Sequence, residues 1–158
     1  MPLDSATFRS VLGRFATGVT VVTARDADGV DHGMTASAFC SLSLEPPLVL
    51  VCVERSADMH PVLETAELFA VNVLSATQEP VSRRFAEKIG NRFDGIGYTR
   101  GTTGVVILDE VHAYLECAKK ASCAGGDHTI FIGEVMHAVA NDGRPLLYYR
   151  GGYTELAR

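Results

Sequence analysis

Gly33-Met-Thr-Ala-Ser-Ala-Phe-Cys-Ser-Leu-Ser-Leu-Glu-Pro-Pro47 runs directly into the apolar stretch Leu48-Val-Leu-Val-Cys-Val53. Hydroxyl-bearing Thr35, Ser37, Ser41 and Ser43 alternate with apolar residues, two prolines end the pattern, and a buried strand begins. Small side chains in such a run let a flat ligand lie close to the backbone, which can offer N–H groups to its polar edge. An ordinary amphipathic strand followed by a turn accounts for the same pattern.

Working outward, Asp26-Ala-Asp-Gly29 is a turn signal that folds the β-branched strand Val19–Ala24 back as a hairpin onto the Gly33 segment. Before it, residues 4–17 predict a helix, with Phe8, Val11, Leu12 and Phe15 on one stripe, Asp4 or Ser5 as cap and Gly18 as stop. After it come a strand at Leu48–Glu54, a helix over Ser56–Leu68 that tolerates Pro61 in its first turn, and a strand at Phe69–Leu74. Ser75-Ala-Thr-Gln78 matches a capping box that opens a helix carrying Val81 and Phe85 on one side. Residues 89–104, with five glycines and no periodicity, predict a loop. His112–Ala121, His128–Val139 and Leu146–Tyr149 complete the strands. Six or more strands against three short helices, without β-α alternation, predict an antiparallel barrel in one domain spanning residues 1–158. No Gly-x-Gly-x-x-Gly follows a strand, so any dinucleotide is held outside a Rossmann fold.

The net charge of −5 and the lack of a Lys/Arg run argue against nucleic-acid binding. No apolar stretch approaches the roughly 18 residues of a membrane span. Met1-Pro-Leu-Asp4 lacks a charged region leading into an apolar one, so no secretory signal is visible and a cytoplasmic protein is expected. Cys40, Cys52, Cys117 and Cys123 form no Cys-x-x-Cys pair and match no zinc pattern, which predicts reduced thiols and no metal site.

There is no catalytic triad, no His-x-x-x-His and no obvious carboxylate pair. Hydride transfer needs none of these, because a cofactor carries the chemistry and the protein binds and orients it. In Gly125-Gly-Asp-His-Thr-Ile-Phe-Ile-Gly133 two glycines permit a tight turn that sets Asp127 and His128 at the mouth of a strand. In Pro145-Leu-Leu-Tyr-Tyr-Arg-Gly-Gly-Tyr153 the aromatics can stack on a ring and the arginine can pair with a phosphate, although tyrosines packing a terminal strand explain them equally well. Ser82-Arg-Arg-Phe-Ala86, with Glu54-Arg-Ser56, offers an anion site, or simply an exposed charged helix face. His32, His60, His112 and His137 lack such context and read as structural.

The Gly-Met-Thr-x-Ser-x-Phe…Ser-x-Ser-x-x-Pro-Pro pattern resembles the short-chain NAD(P)H:flavin oxidoreductase family. These FMN-binding split barrels feed reduced flavin to two-component monooxygenases. The Gly-Asp-His, Ser-x-Arg-Phe and terminal Pro-Leu…Arg-Gly-x-Tyr strings are similar to the family's as well, so the likeness runs from about Phe8 to Tyr153. It implies a mainly β fold with peripheral helices, a six-stranded antiparallel Greek-key split barrel, and a homodimer with flavin at or near the subunit interface. Gly33, Met34, Thr35, Ala36, Ser37 and Ala38 would then lie along the flavin ring, joined by Arg84 and Phe85. Cys52, Val53, Glu54, Ser56, Asp58 and Met59 would line the ribityl chain and phosphate. His128 would position the hydride donor, with Tyr148, Tyr149, Arg150 and Gly151 facing the pyridine nucleotide. Asp58 departs from the pattern, since it places a negative charge near the expected phosphate. The implied activity is reduction of FMN or FAD by NADH or NADPH, with the product diffusing to a flavin-dependent monooxygenase. The alternatives are a non-enzymatic flavin-binding module of the same fold and a split-barrel oxidase of the pyridoxamine-phosphate type. The sparse arginines disfavour the oxidase.

Overall fold

A computed structural model describes residues 1–157. Asp4 caps the first helix, α1 (Ser5–Leu12), by accepting the Thr7 N–H at 2.8 Å. The helix stops at Gly13 rather than running to residue 17. Its stripe of Phe8, Val11 and Leu12 is exposed, as is Phe15 beyond it at 76 %. The periodicity is real, but nothing among the described residues covers it.

The strands follow as β1 (Thr17–Gly18), β2 (Thr20–Arg25), β3 (Asp31–Ala36), β4 (Phe39–Ser43) and β5 (Leu48–Glu54). Then come α2 (Met59–Thr65), β6 (Leu68–Val73), α3 (Glu79–Ala86), β7 (Tyr98–Arg100) and β8 (Val106–Leu108). The chain continues through β9 (Ala113–Gly125), β10 (His128–Ala140), β11 (Leu146–Tyr149) and β12 (Gly152–Glu155). The main sheet has seven antiparallel strands in the order β3-β2-β6-β9-β10-β5-β4, not six. The additional strand arises because segment 33–47 breaks at Ser37–Ala38 into β3 and β4, which occupy opposite edges. Two residues joining the two edges of one sheet force it to curl until those edges nearly meet. The Cys52 N–H donates to the Ala38 carbonyl at 3.0 Å, which extends the β4–β5 ladder to the crossing segment. Smaller sheets, β1-β11-β12 and β7-β8, flank the main one. The β7-β8 hairpin begins inside the segment expected to be loop.

Strand β2 is buried on both faces because it sits between two apolar layers. Val22 and Ala24 point into the curl with Val49, Val51, Val53, Val71 and Phe131. Val21, with Val19 just before the strand, packs outside it against Phe85, Leu108, Val111 and Leu146. Thr20, Thr23 and Asn72, trapped between the layers, are each hydrogen-bonded, as burial favours. Thr20 donates to the Ala36 carbonyl, Thr23 to the Val106 carbonyl, and Asn72 joins Val21 to the Leu108 N–H. Strands β9 and β10 bend at register shifts, and at Gly133 a Cβ would meet the Phe69 ring at 2.5 Å.

Two further expectations are corrected. The second helix is shorter than residues 56–68, although Pro61 does lie in its first turn. Only half of the capping box forms: Gln78 Oε1 accepts the Ser75 N–H at 2.9 Å, while Ser75 Oγ turns to Thr77 Oγ1.

Candidate functional site

Alternation along β3 aims Gly33 and Thr35 at α3, and Ser37 continues that side of the chain beyond the strand's end. Thr35 Oγ1 donates to the Ser82 carbonyl on α3 at 2.6 Å. Ser82 Oγ in turn shares a hydrogen bond with Tyr153 Oη at 2.8 Å, pinning β12 against the helix. The Arg83 guanidinium lies 4.9 Å over the Tyr153 ring, and Tyr148 meets that ring edge-on. These contacts enclose a recess of about 220 Å³ bounded by Val19, Thr35, Ser37, Ser82, Tyr148 and Tyr153. At its rim, the main-chain N–H groups of Ser37 and Ala38 find no acceptor among the described residues. Two free donors side by side on an exposed seam fit a planar ligand that carries acceptors along one edge.

A second recess, about 230 Å³, opens at the other end of β3 between His32, Gly33, Asp58, Met59, Arg92 and Phe93. Gly33 is required here by packing, since a Cβ would stand 2.7 Å from the Phe85 ring. Arg84 is spent on the chain itself. Its guanidinium donates to the carbonyls of Asn91, Arg92 and Asp94, which fixes the loop after α3. Arg92 donates to the Glu87 carbonyl at 2.7 Å and to the Gly33 carbonyl at 2.8 Å. Its remaining arm lies 3.9 Å from Asp58.

The third element is the β9–β10 hairpin tip, where Gly126 takes a positive φ of 65°. His128 Nδ1 lies 2.7 Å from the Asp127 carboxylate, and that contact holds the carboxyl below its usual range. The Asp127 carbonyl accepts the Arg55 N–H, and His128 pairs with Glu54 across the ladder, so the tip is anchored to the end of β5. Cys52, half-buried in that strand, has its thiol pKa raised by burial and so is not an activated thiolate. Arg150 and Gly151, both with positive φ, make the two-residue turn of the β11–β12 hairpin. The Arg150 N–H donates to the Gly13 carbonyl at the end of α1.

Of the residues singled out in the sequence, Thr35, Ser37 and Tyr148 share the first recess, and Gly33, Asp58 and Met59 the second. Glu54 and Ser56 are exposed near the His128 tip, as are Tyr149, Arg150 and Gly151 on their own hairpin. Met34 is half-buried against the core, while Ala36, Val53 and Phe85 are buried in it. Those three side chains serve packing, and only their backbone can face a ligand. Arg84 likewise serves its loop rather than the open recess. Ser82 and Tyr153 sit inside two of the sequence motifs without a pattern that singles them out; Arg92 belongs to no motif, and only the fold brings it to Asp58. Among the described residues no group of three or more His, Cys, Asp or Glu residues could hold a metal.

The flavin reductase like domain family matches residues 12–157. A probable flavin reductase of Rhizobium meliloti is 45 % identical over 151 residues, covering 95 % of this chain and 48 % of that protein. The chain therefore spans about half the length of that relative. An FMN reductase (NADH) of Agrobacterium fabrum is 42 % identical over 155 residues, covering 98 % of this chain and 88 % of the relative. Among solved structures, the NADH:FAD oxidoreductase of Streptomyces globisporus in complex with NAD and FAD fragments superposes with a TM-score of 0.93. It is 42 % identical, and the match covers 98 % of this chain and 93 % of that one.

Proposed function

The chain belongs to the flavin reductase like domain family, and from that premise we propose that it reduces FMN or FAD with NADH or NADPH for a partner flavin-dependent monooxygenase. The observation that carries this reading is the pair of unclaimed N–H groups at Ser37 and Ala38, opening on the Thr35–Ser82–Tyr153 recess. When bound, flavin supplies the hydride acceptor, and negative charge gathers on its pyrimidine edge. The Ser37 and Ala38 donors are fixed by the seam before any charge develops, so they stabilise it without reorganising. Tyr148 and Tyr153 give that site an aromatic wall. Asp127 orients the His128 ring, which holds the nicotinamide in place and donates nothing covalently. Hydride transfer between stacked rings needs no protein nucleophile.

We read the curled sheet as a split barrel with Greek-key connections and its seam at Ser37–Ala38, and residues 1–158 as one such domain. Two copies form the working unit: the exposed side of Phe8, Val11, Leu12 and Phe15 and the 92 % exposed Leu44 support a second chain as their cover. Four free cysteines suit a reducing cytoplasm. No helix among the described residues is long and apolar enough to cross a membrane.

The test is steady-state oxidation of NADH and of NADPH with and without added FMN or FAD. Oxidation that depends on added flavin is expected. Flavin binding without oxidation of either nicotinamide would leave a binding module instead.

A further inference from the structure

We infer that His60 is a positioning residue for the nicotinamide side of the site: its bond to Thr129 fixes where the β9–β10 tip, and with it His128, stands. This inference rests on the reading of His128 given above.

His60 is the second residue of α2 and only 8 % exposed. Its Nε2 shares a hydrogen bond with Thr129 Oγ1 at 2.8 Å, while Nδ1 faces the Glu64 carboxylate at 3.6 Å, one turn along the helix. The ring meets Phe131 edge-on, with centroids 5.6 Å apart. Thr129 and Phe131 point the same way from β10, and alternation puts His128 on the opposite face. An apolar residue would fill this place beside Phe131 with no polar atom to satisfy, so the imidazole is explained by what it bonds.

His128 needs such support. Its side chain is 42 % exposed, and its polar partner, the Asp127 carboxylate, is 84 % exposed. Gly125 and Gly126 precede them, the second at positive φ, so the tip has little stiffness of its own. Where His128 stands is therefore decided by the backbone entering the tip. Main-chain pairing with Glu54 and Arg55 holds that backbone to β5. Ladder bonds are alike in every register, however, and apolar alternation opposes only odd slips. A slip of two residues keeps the apolar set inside, yet it carries Thr129 away and leaves a buried imidazole unpaired, which is costly. The partner strand β9 does not settle the register alone, since its ladder with β10 shifts twice. Among the described residues, His60–Thr129 is the only side-chain hydrogen bond joining β10 to a helix.

Steady-state kinetics at saturating FMN, with NADH varied, compare wild type, His60→Leu, His60→Gln, Thr129→Val, His128→Ala and the double variant His60→Leu with His128→Ala. His60→Leu and Thr129→Val are each expected to raise the KM for NADH about threefold with kcat and FMN affinity little changed. His60→Gln, whose amide can reach Thr129, is expected to recover most of that loss. The distinguishing result is non-additivity: with His128→Ala already in place, His60→Leu adds no further rise. A further rise of about threefold in that background, or a loss in kcat instead of KM, makes His60 a packing residue and overturns its positioning role. If His60→Leu folds poorly, Thr129→Val, alone and combined with His128→Ala, makes the same comparison. An unchanged KM in His128→Ala itself would overturn the role of His128, and the positioning role with it.

Discussion

Two carboxylates illustrate opposite uses of charge in this molecule. Glu116, fully buried on β9, accepts the N–H groups of Thr102 and Thr103 and the Thr103 hydroxyl, at 3.2, 2.8 and 2.6 Å. Gly101 is glycine because a side chain there would strike that same carboxylate. Asp58 stands in solvent with one long contact to Arg92. Fixed donors take up the oxygens of Glu116, and its charge holds the 101–104 turn to the sheet. Asp58 is met at arm's length and can give way.

The sharpest way to break the contrast is to remove each acid in turn. Glu116→Ala strands two backbone donors and is expected to cost about 3 kcal/mol, a fall in Tm of about 10 °C. Asp58→Ala is expected to stay within about 0.5 kcal/mol of wild type. Chemical denaturation of both variants measures this, and equal losses would erase the distinction.

The same contrast has a pH signature. Burial pushes the Glu116 carboxyl up, but the bonds from Thr103 and Thr102 outweigh it and leave the group below its ordinary value. A lowered folded-state pKa adds stability that is complete above the unfolded carboxylate range, about 4.3, and is lost as pH falls through the folded value. Glu116→Gln should therefore flatten part of the loss of stability below that range. Urea midpoints measured from pH 7 to about 3 check it, and an unchanged acid slope would assign the effect to other groups.

The ligand side yields to substitutions that leave stability alone. Ser37→Trp fills the seam recess and is expected to weaken flavin binding about thirtyfold with little change in unfolding. Flavin bound as tightly as before would place the ring elsewhere. Smallest is His128→Ala, expected to raise the KM for NADH about fivefold while flavin affinity stays constant. Equal loss of both would merge two sites kept apart here.

The strands were largely legible because β-branched runs and turn signals are local properties. Val19–Ala24, Leu48–Glu54 and Phe69–Leu74 each fall within about a residue of an observed strand. What sequence could not show is where neighbours lie. The stripe on α1 reads as core-facing, yet periodicity says nothing about whether the covering surface belongs to the same chain. The segment at 33–47 reads as one strand and turn, yet its middle crosses from one sheet edge to the other, a consequence of pairing far along the chain. Thr35, Ser37 and Tyr148 were identifiable as small or aromatic residues in patterned strings. Arg92 was not, because its environment comes from β3, α2 and its own loop meeting in space.

The most direct test of the central claim is anaerobic mixing of the protein with excess NADH and, separately, FMN or FAD, while following the flavin absorbance. The account predicts bleaching over many turnovers, greatly slowed in Ser37→Trp. Flavin that binds yet stays oxidised with both NADH and NADPH would contradict it.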